Sequence, residues 1–341
     1  MSTRTPITRA YCVQLGEVLS IAEARRAFFS LPEPRSRFRF LCSNERCRDL
    51  AIKAEVTAVN YDKRPNDTYR IAHFRENPKY DHAPDCEWMI DEDAEEVDGK
   101  LPGETDGEAF LRKARRKLHD YIDVFDPTAE QEKGGGSPGE TNGGSDVPGG
   151  SRGEGIGRGK KVSRSHKTSS LERLVECYRQ ARLELSEEEF KAMKLKIVGE
   201  GEIPLSWYFK SIAYAKVGGS SRVIHGGASL VRRYGAGNDQ DLGFKLRFFD
   251  WVDKKPVFLY VSKEQMSEYR FRRYLDGILR QPDADYFRVF ALGELSLAPK
   301  GTSINLEISD LKQLVLIPGH KRPAATDVDT GAVEVNGALK A

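Results

Sequence analysis

The chain of 341 residues is short of several things, and each shortage excludes a class of protein. It has 5 cysteines, too few to build a disulfide framework across such a length, so cysteines that lie near histidines are read first as metal ligands. No run approaches the roughly 18 consecutive apolar residues that a spanning helix needs, and charged residues make up 31% of the chain, which excludes a helical membrane protein. The opening Met1-Ser2-Thr3-Arg4-Thr5-Pro6 lacks the apolar stretch of a secretory leader, so the expected compartment is the cytoplasm and no membrane contact is expected. An excess of one charge is missing too: Lys+Arg 54 against Asp+Glu 52 leaves a net charge of +2. Nucleic-acid binding must therefore be argued from local charge. Phosphate-cradling and nucleophile-elbow motifs are absent, since Gly153-x-Gly155-x-Gly157-x-Gly159 has neither a strand before it nor a helix directly after it.

Glycine is abundant, and its placement organises the chain. Between Gly134 and Gly159 there are twelve glycines in twenty-six residues, mixed with Ser, Pro and Glu, a composition that cannot bury enough apolar surface to offset the entropy of ordering. The basic run Arg158, Lys160, Lys161, Arg164, His166 and Lys167 follows, a surface suited to an acidic protein partner or a phosphate backbone. Ser169-Ser170-Leu171-Glu172 then supplies a helix start. The expected division is a zinc-finger module over 1–126, a flexible Gly/Ser-rich linker over 127–168, a helical lead-in and second domain over 169–318, and a disordered tail over 319–341. The two modules should move independently.

In the first module, Ala51–Asn60 and Thr68–Phe74 flank a turn at Asp62–Asp67 and read as a β-hairpin. The pairs Cys42-x4-Cys47 and His82-x3-Cys86 have the close spacing with which two side chains converge on one ion. The hairpin brings them together, since loop closure costs free energy only with the logarithm of loop length. Four protein ligands leave no open position, so Cys42, Cys47, His82 and Cys86 predict a structural Zn²⁺. His73 is the alternative fourth ligand. Cys12 and Cys177 read as core residues.

These residues resemble a known family. Ala10-Tyr11-Cys12, Gly16–Ala24, Phe40-Leu41-Cys42 with Cys47, and Ala72-His73-Phe74-Arg75 are similar to the N-terminal zinc-finger region of the bacterial competence CoiA-like family, over about residues 10–90. The resemblance implies a role in DNA uptake, mobile elements, defence or DNA processing, with a nuclease-like domain after the finger. Glu108-Ala109-Phe110-Leu111-Arg112-Lys113 does not reproduce that domain's pattern of acidic residues, histidine and lysine, so binding without catalysis is the expectation here.

The second domain reads as two helices, Leu171–Leu185 and Glu187–Lys196, followed by strands at Ser221–Arg233, Gly243–Phe249 and Pro256–Ser262. A helix at Lys263–Arg280 and strands at Tyr286–Leu297 and Ser303–Ile317 complete it. That order predicts an α+β chain whose second domain is an OB-like five-stranded barrel, a fold that binds oligonucleotides on a sheet face. In Gly243–Phe249, alternation sends Phe244, Leu246 and Phe248 inward and Lys245, Arg247 and Phe249 outward. Cations that track phosphates beside rings that stack bases predict single-strand binding, with Trp251 at the strand end. Fourteen Lys/Arg against eight Asp/Glu over 201–280 agree with it. Tyr260, Tyr269 and Tyr274 read as core or core edge. The alternatives are a divergent metal-dependent nuclease using Asp250, Asp253 and Glu264, and a non-catalytic adaptor that binds proteins.

Overall fold

The computed structural model describes residues 7–65, 71–84, 86, 88–89, 103–118, 121–128, 167–219, 222–234 and 242–320. Residues 90–102, the glycine-rich segment, most of the basic run and the tail beyond 320 lie outside the described residues.

The chain begins with β1 (Arg9–Cys12), turns at Gly16 and returns as β2 (Glu17–Ser20). Gly16 has φ 70°, the left-handed region in which a Cβ is unfavourable. Helix α1 (Ile21–Ser30) starts in a capping box, with the Ser20 hydroxyl accepting from the Glu23 amide and the Glu23 carboxylate accepting from the Ser20 amide, which satisfies orphan donors at the helix start. Strand β3 (Phe40–Cys42), the short α2 (Glu45–Asp49), β4 (Glu55–Val59) and β5 (His73–Glu76) follow. They complete an antiparallel sheet in the order β2-β1-β3-β4-β5. β4 and β5 pair as antiparallel neighbours, with Val59 opposite His73, but the second strand runs over His73–Glu76 rather than the expected Thr68–Phe74, whose first residues lie outside the described ones.

The next unit is built from both sides of the glycine-rich segment. Helix α3 (Asp106–Arg116) and β6 (Val124–Phe125) precede it; β7 (Lys167–Thr168), α4 (Leu171–Glu184), α5 (Glu187–Ala192), β8 (Lys194–Ile197), β9 (Gly201–Pro204), α6 (Leu205–Tyr208) and β10 (Phe209–Ser211) come after. Helix α3 ends at Arg116, and farther along Val124–Phe125 form β6, which pairs in parallel with β7 and β8. Leu118, Ile122 and Phe125 share a core with Leu171, Leu174, Met193 and Leu195.

The last part is a closed five-stranded mixed barrel. Strands β11 (Arg222–Tyr234), β12 (Gly243–Val252) and β13 (Lys255–Val261) form an antiparallel meander. Helices α7 (Lys263–Glu268) and α8 (Arg272–Leu279) intervene before β14 (Tyr286–Leu297) and β15 (Ile304–Glu307). The barrel order is β11-β12-β13-β15-β14, closed by β14 on β11, with β13 and β15 parallel. The OB-like arrangement expected from the element order is thus the arrangement present. The helix expected over 187–196 ends at Ala192 and gives way to β8, and two segments of the barrel region were likewise longer in expectation than in fact. The helix over 263–280 breaks at Tyr269–Phe271, and the strand over 303–317 divides into β15 and β16 (Leu314–Gly319) around a 3-10 turn capped by Asp310.

The parts are not free of one another. Phe28, Phe29 and Tyr61 of the first sheet unit belong to one continuous core with Tyr274, Leu275 and Ile278 of α8 and with the barrel interior. At the same junction Arg25 Nη1 lies 2.7 Å from Glu176 and 3.5 Å from Glu172, and Arg26 Nε lies 2.5 Å from Glu172. The Tyr274 hydroxyl donates to Glu172 at 3.4 Å. All four charged side chains are buried. Independent motion of the two modules was the expectation; a buried ion cluster and a shared core replace it, because α1 carries its arginines on the face it turns towards α4 and α8.

Candidate metal centre and barrel face

Cys42 ends β3, and Cys47 lies in α2, which Asn44 starts by accepting from the Arg46 amide. His82 and Cys86 follow β5 on the turn that the Cys86 amide closes by donating to the Ala83 carbonyl at 2.9 Å. Backbone bonds tie the pieces together, with the Cys42 amide donating to Ala54 and the Ala54 amide to Cys47. The four candidate donor atoms all lie within 4.8 Å of one another, and the three thiols are buried. Cys42 and Cys86 sulfurs are 3.6 Å apart, and His82 Nδ1 lies 3.6 Å from the Cys47 sulfur and 3.4 Å from that of Cys86. His82 Nε2 is buried without a hydrogen-bond partner among the described residues, so Nδ1 is the ring atom aimed at the sulfurs.

The cluster can hold a metal ion. The hydrogen bond from Cys42, outweighing burial, together with that from His82, holds the Cys86 thiol down at about 4. The same bond to Cys86, with burial, pushes Cys42 upward. A cluster that already favours one thiolate is prepared for a cation, because the thiolate is the ligand form. His73 lies elsewhere: its Nδ1 is 3.2 Å from the Ile71 carbonyl, and its ring lines a small cavity with Glu176 and Gln180 of α4. Cys12 and Cys177 are core residues, as expected.

The barrel face follows the alternation read from the sequence. Phe244, Leu246 and Phe248 are buried, Lys245 is half-buried, and Arg247 and Phe249 are exposed. Register places Lys245 opposite Tyr260 and Arg247 opposite Phe258. The Lys245 ammonium sits 4.0 Å from the centre of the Phe258 ring, and the Tyr260 ring meets Tyr234 edge-on at 5.3 Å. Phe249, Trp251 and Tyr260 are 54%, 52% and 51% exposed, so each is open to solvent over about half of its surface. Tyr260 is therefore a surface residue, contrary to its reading as core edge, whereas Tyr269 and Tyr274 are buried as expected. Gly227 explains the pose of Phe249: a Cβ there would stand 2.9 Å from Phe249 Cδ2, so the ring rests on bare backbone.

Sequence reasoning missed Arg232 and Tyr234, which extend this face. A bulge lies between Leu230 and Arg232 and shifts the parity of the strand, so strict alternation assigns the wrong side beyond it. The Arg232 guanidinium lies over the Tyr234 ring at 5.5 Å.

The carboxylates weighed for a nuclease do not converge. Asp253 and Lys254 have φ 48° and 58° in the two-residue β12–β13 turn, the conformation of a type I′ hairpin that Asp tolerates. Glu264 lies in the first turn of α7, where its own backbone amide and the Ser262 hydroxyl hold its carboxyl below the ordinary value. Among the described residues, Cys42, Cys47, His82 and Cys86 form the one group of three or more potential metal ligands. No helix among them is long and apolar enough to cross a membrane. Comparison with family models, curated proteins and solved structures finds no match.

Proposed function

We propose that the protein binds single-stranded nucleic acid on the β12–β13 face of its barrel, and that a structural zinc ion supports the fold that presents this face. The observation that carries the reading is the interleaving of Lys245 and Arg247 with the exposed rings of Phe249, Trp251 and Tyr260 on one sheet surface. Cations meet phosphates and rings meet base faces, an arrangement that tolerates any sequence. Zinc is favoured by the donor set of three sulfurs and one imidazole. Tetrahedral zinc with ordinary bond lengths separates two sulfurs by about 3.8 Å and a sulfur from a nitrogen by about 3.6 Å, close to the 3.6, 3.6 and 3.4 Å found. With four protein donors, zinc would supply folding free energy and no open position for water. A DNA-processing setting is what the CoiA-like resemblance of residues 10–90 implies, and it is part of the proposal.

The test is titration of the zinc-loaded protein with labelled single-stranded, duplex and RNA oligonucleotides over a range of salt. Single strands should bind with a salt slope that falls by about 0.7 for each phosphate contact removed, in Lys245→Ala and Arg247→Ala alike. Unchanged affinity in these variants and in Phe249→Ala would sink the reading and leave a protein-binding adaptor in its place.

A further inference from the structure

The exposed ring of Phe249 does not end the barrel surface. Its supporting residue, Gly227 on β11, stands opposite Arg288 on β14, and Tyr286 of the same strand lies 6.1 Å from the Phe249 ring. One register step from Gly227 on the same side, His225 faces Phe290, and the two rings stack at 5.5 Å. The other neighbour of His225 is Tyr178 of α4, at 5.9 Å. Tyr178 packs in turn on Phe190, and Arg182 of α4 covers that ring at 5.0 Å. Arg182 on α4 and Arg288 on the barrel thus belong to different elements, and the charge of each reaches the His225 imidazole. Arg182 and Arg288 are exposed, and among the described residues neither has a carboxylate within ion-pair distance.

Two guanidinium groups that make no ion pair among the described residues, with Glu187 only at longer electrostatic reach of Arg182, form beside an aromatic floor a surface that attracts an anion with more than one oxygen. From Phe249 on β12 to Arg288 on β14 is two strand spacings, about 10 Å, so the site adjoins the stacking ring. We infer that Arg182 and Arg288 form a phosphate clamp, which takes the backbone of a single strand that leaves the β12–β13 face over Phe249 and continues towards α4. The inference rests on the single-strand reading above and extends it, because it makes the helical unit part of the interface. The state of His225 agrees with it. Burial, with the charges of Arg182 and Arg288, holds its pKa down to about 4, so at neutral pH the imidazole is uncharged and offers a donor or an acceptor beside the clamp.

The experiment uses the zinc-loaded full chain with oligothymidylates of about 4 and about 16 nucleotides, the range of site sizes known for barrels of this type. In Arg182→Gln/Arg288→Gln the salt slope for the longer strand should fall by about 1.4, two contacts at about 0.7 each, and binding of the shorter strand should be unchanged. The His225 imidazole resonances should shift with the longer strand and not with the shorter. If the double variant binds the longer strand with the original slope while Phe249→Ala weakens it, the clamp is refuted and the face reading stands. Should neither change anything, both fall.

Discussion

In the Cys/His cluster the groups that matter are hidden, and on the barrel face they are the ones left outside. The first site is specified by four atoms converging within 4.8 Å, a geometry that admits little variation. The second is specified by parity along two paired strands, and any residue of suitable chemistry at the right parity would serve. Substitution should therefore act differently: the cluster should fail as a unit, together with the fold around it, whereas the face should lose affinity residue by residue.

The largest effect is expected from the cluster. Zinc in small modules contributes apparent free energies of about 10–16 kcal/mol, comparable to a whole domain's stability of about 5–15 kcal/mol. Cys86→Ser should abolish stoichiometric metal, measured by elemental analysis, and expose β3, β4 and β5 to rapid hydrogen exchange. Because α1 shares a core and buried ion pairs with α8 and α4, exchange should also quicken in α8. Full protection of α8 in the metal-free protein would show that the two regions are energetically separate after all.

The next effect lies at the junction itself. Removing one partner of a buried pair leaves an uncompensated charge and costs about 3–5 kcal/mol, so Glu172→Ala should lower the free energy of unfolding, measured by denaturant titration, by that order. A loss under about 1 kcal/mol would mean that water reaches Arg26. Smaller again is the contrast between neighbours on β12. Leu246→Ala, facing inward, should cost about 2–5 kcal/mol of stability and leave oligonucleotide affinity alone in the folded fraction. Phe249→Ala should cost about 1–3 kcal/mol of binding and leave the melting temperature alone. The smallest change is expected from Gly227→Ala, whose methyl group pushes the Phe249 ring off its seat; affinity should fall by less than in Phe249→Ala, and a gain would refute the supporting role.

Much of this was legible in the sequence, because two local rules sufficed. Paired spacing identified Cys42, Cys47, His82 and Cys86, with His73 left open until the structure placed it against the Ile71 carbonyl. Period-two alternation identified the inward and outward sets of β12, and the order of strands and helix identified the barrel. What stayed hidden depends on contacts between residues far apart in sequence. Glu172 reads as the first turn of an exposed helix, yet it is buried by residues 146 and 147 positions away. Tyr260 reads as core because aromatic residues in strands usually are, yet it lies across from Lys245 on the outer face. The strands β6 and β7 are two residues each, too short to show any period.

Those two short strands have a consequence for how the chain can be divided. Val124 and Phe125 pair with Lys167 and Thr168 on one side and with Lys196 and Ile197 on the other. Phe125 is buried in the same core as Leu171. A break in the backbone anywhere between 129 and 166 would cut no pairing among the described residues, and the two pieces would still meet across a sheet, a core and a buried ion cluster. The molecule is suited to fragment complementation: residues up to 128 and residues from 167, produced as separate polypeptides in one cell, should co-purify as a single particle.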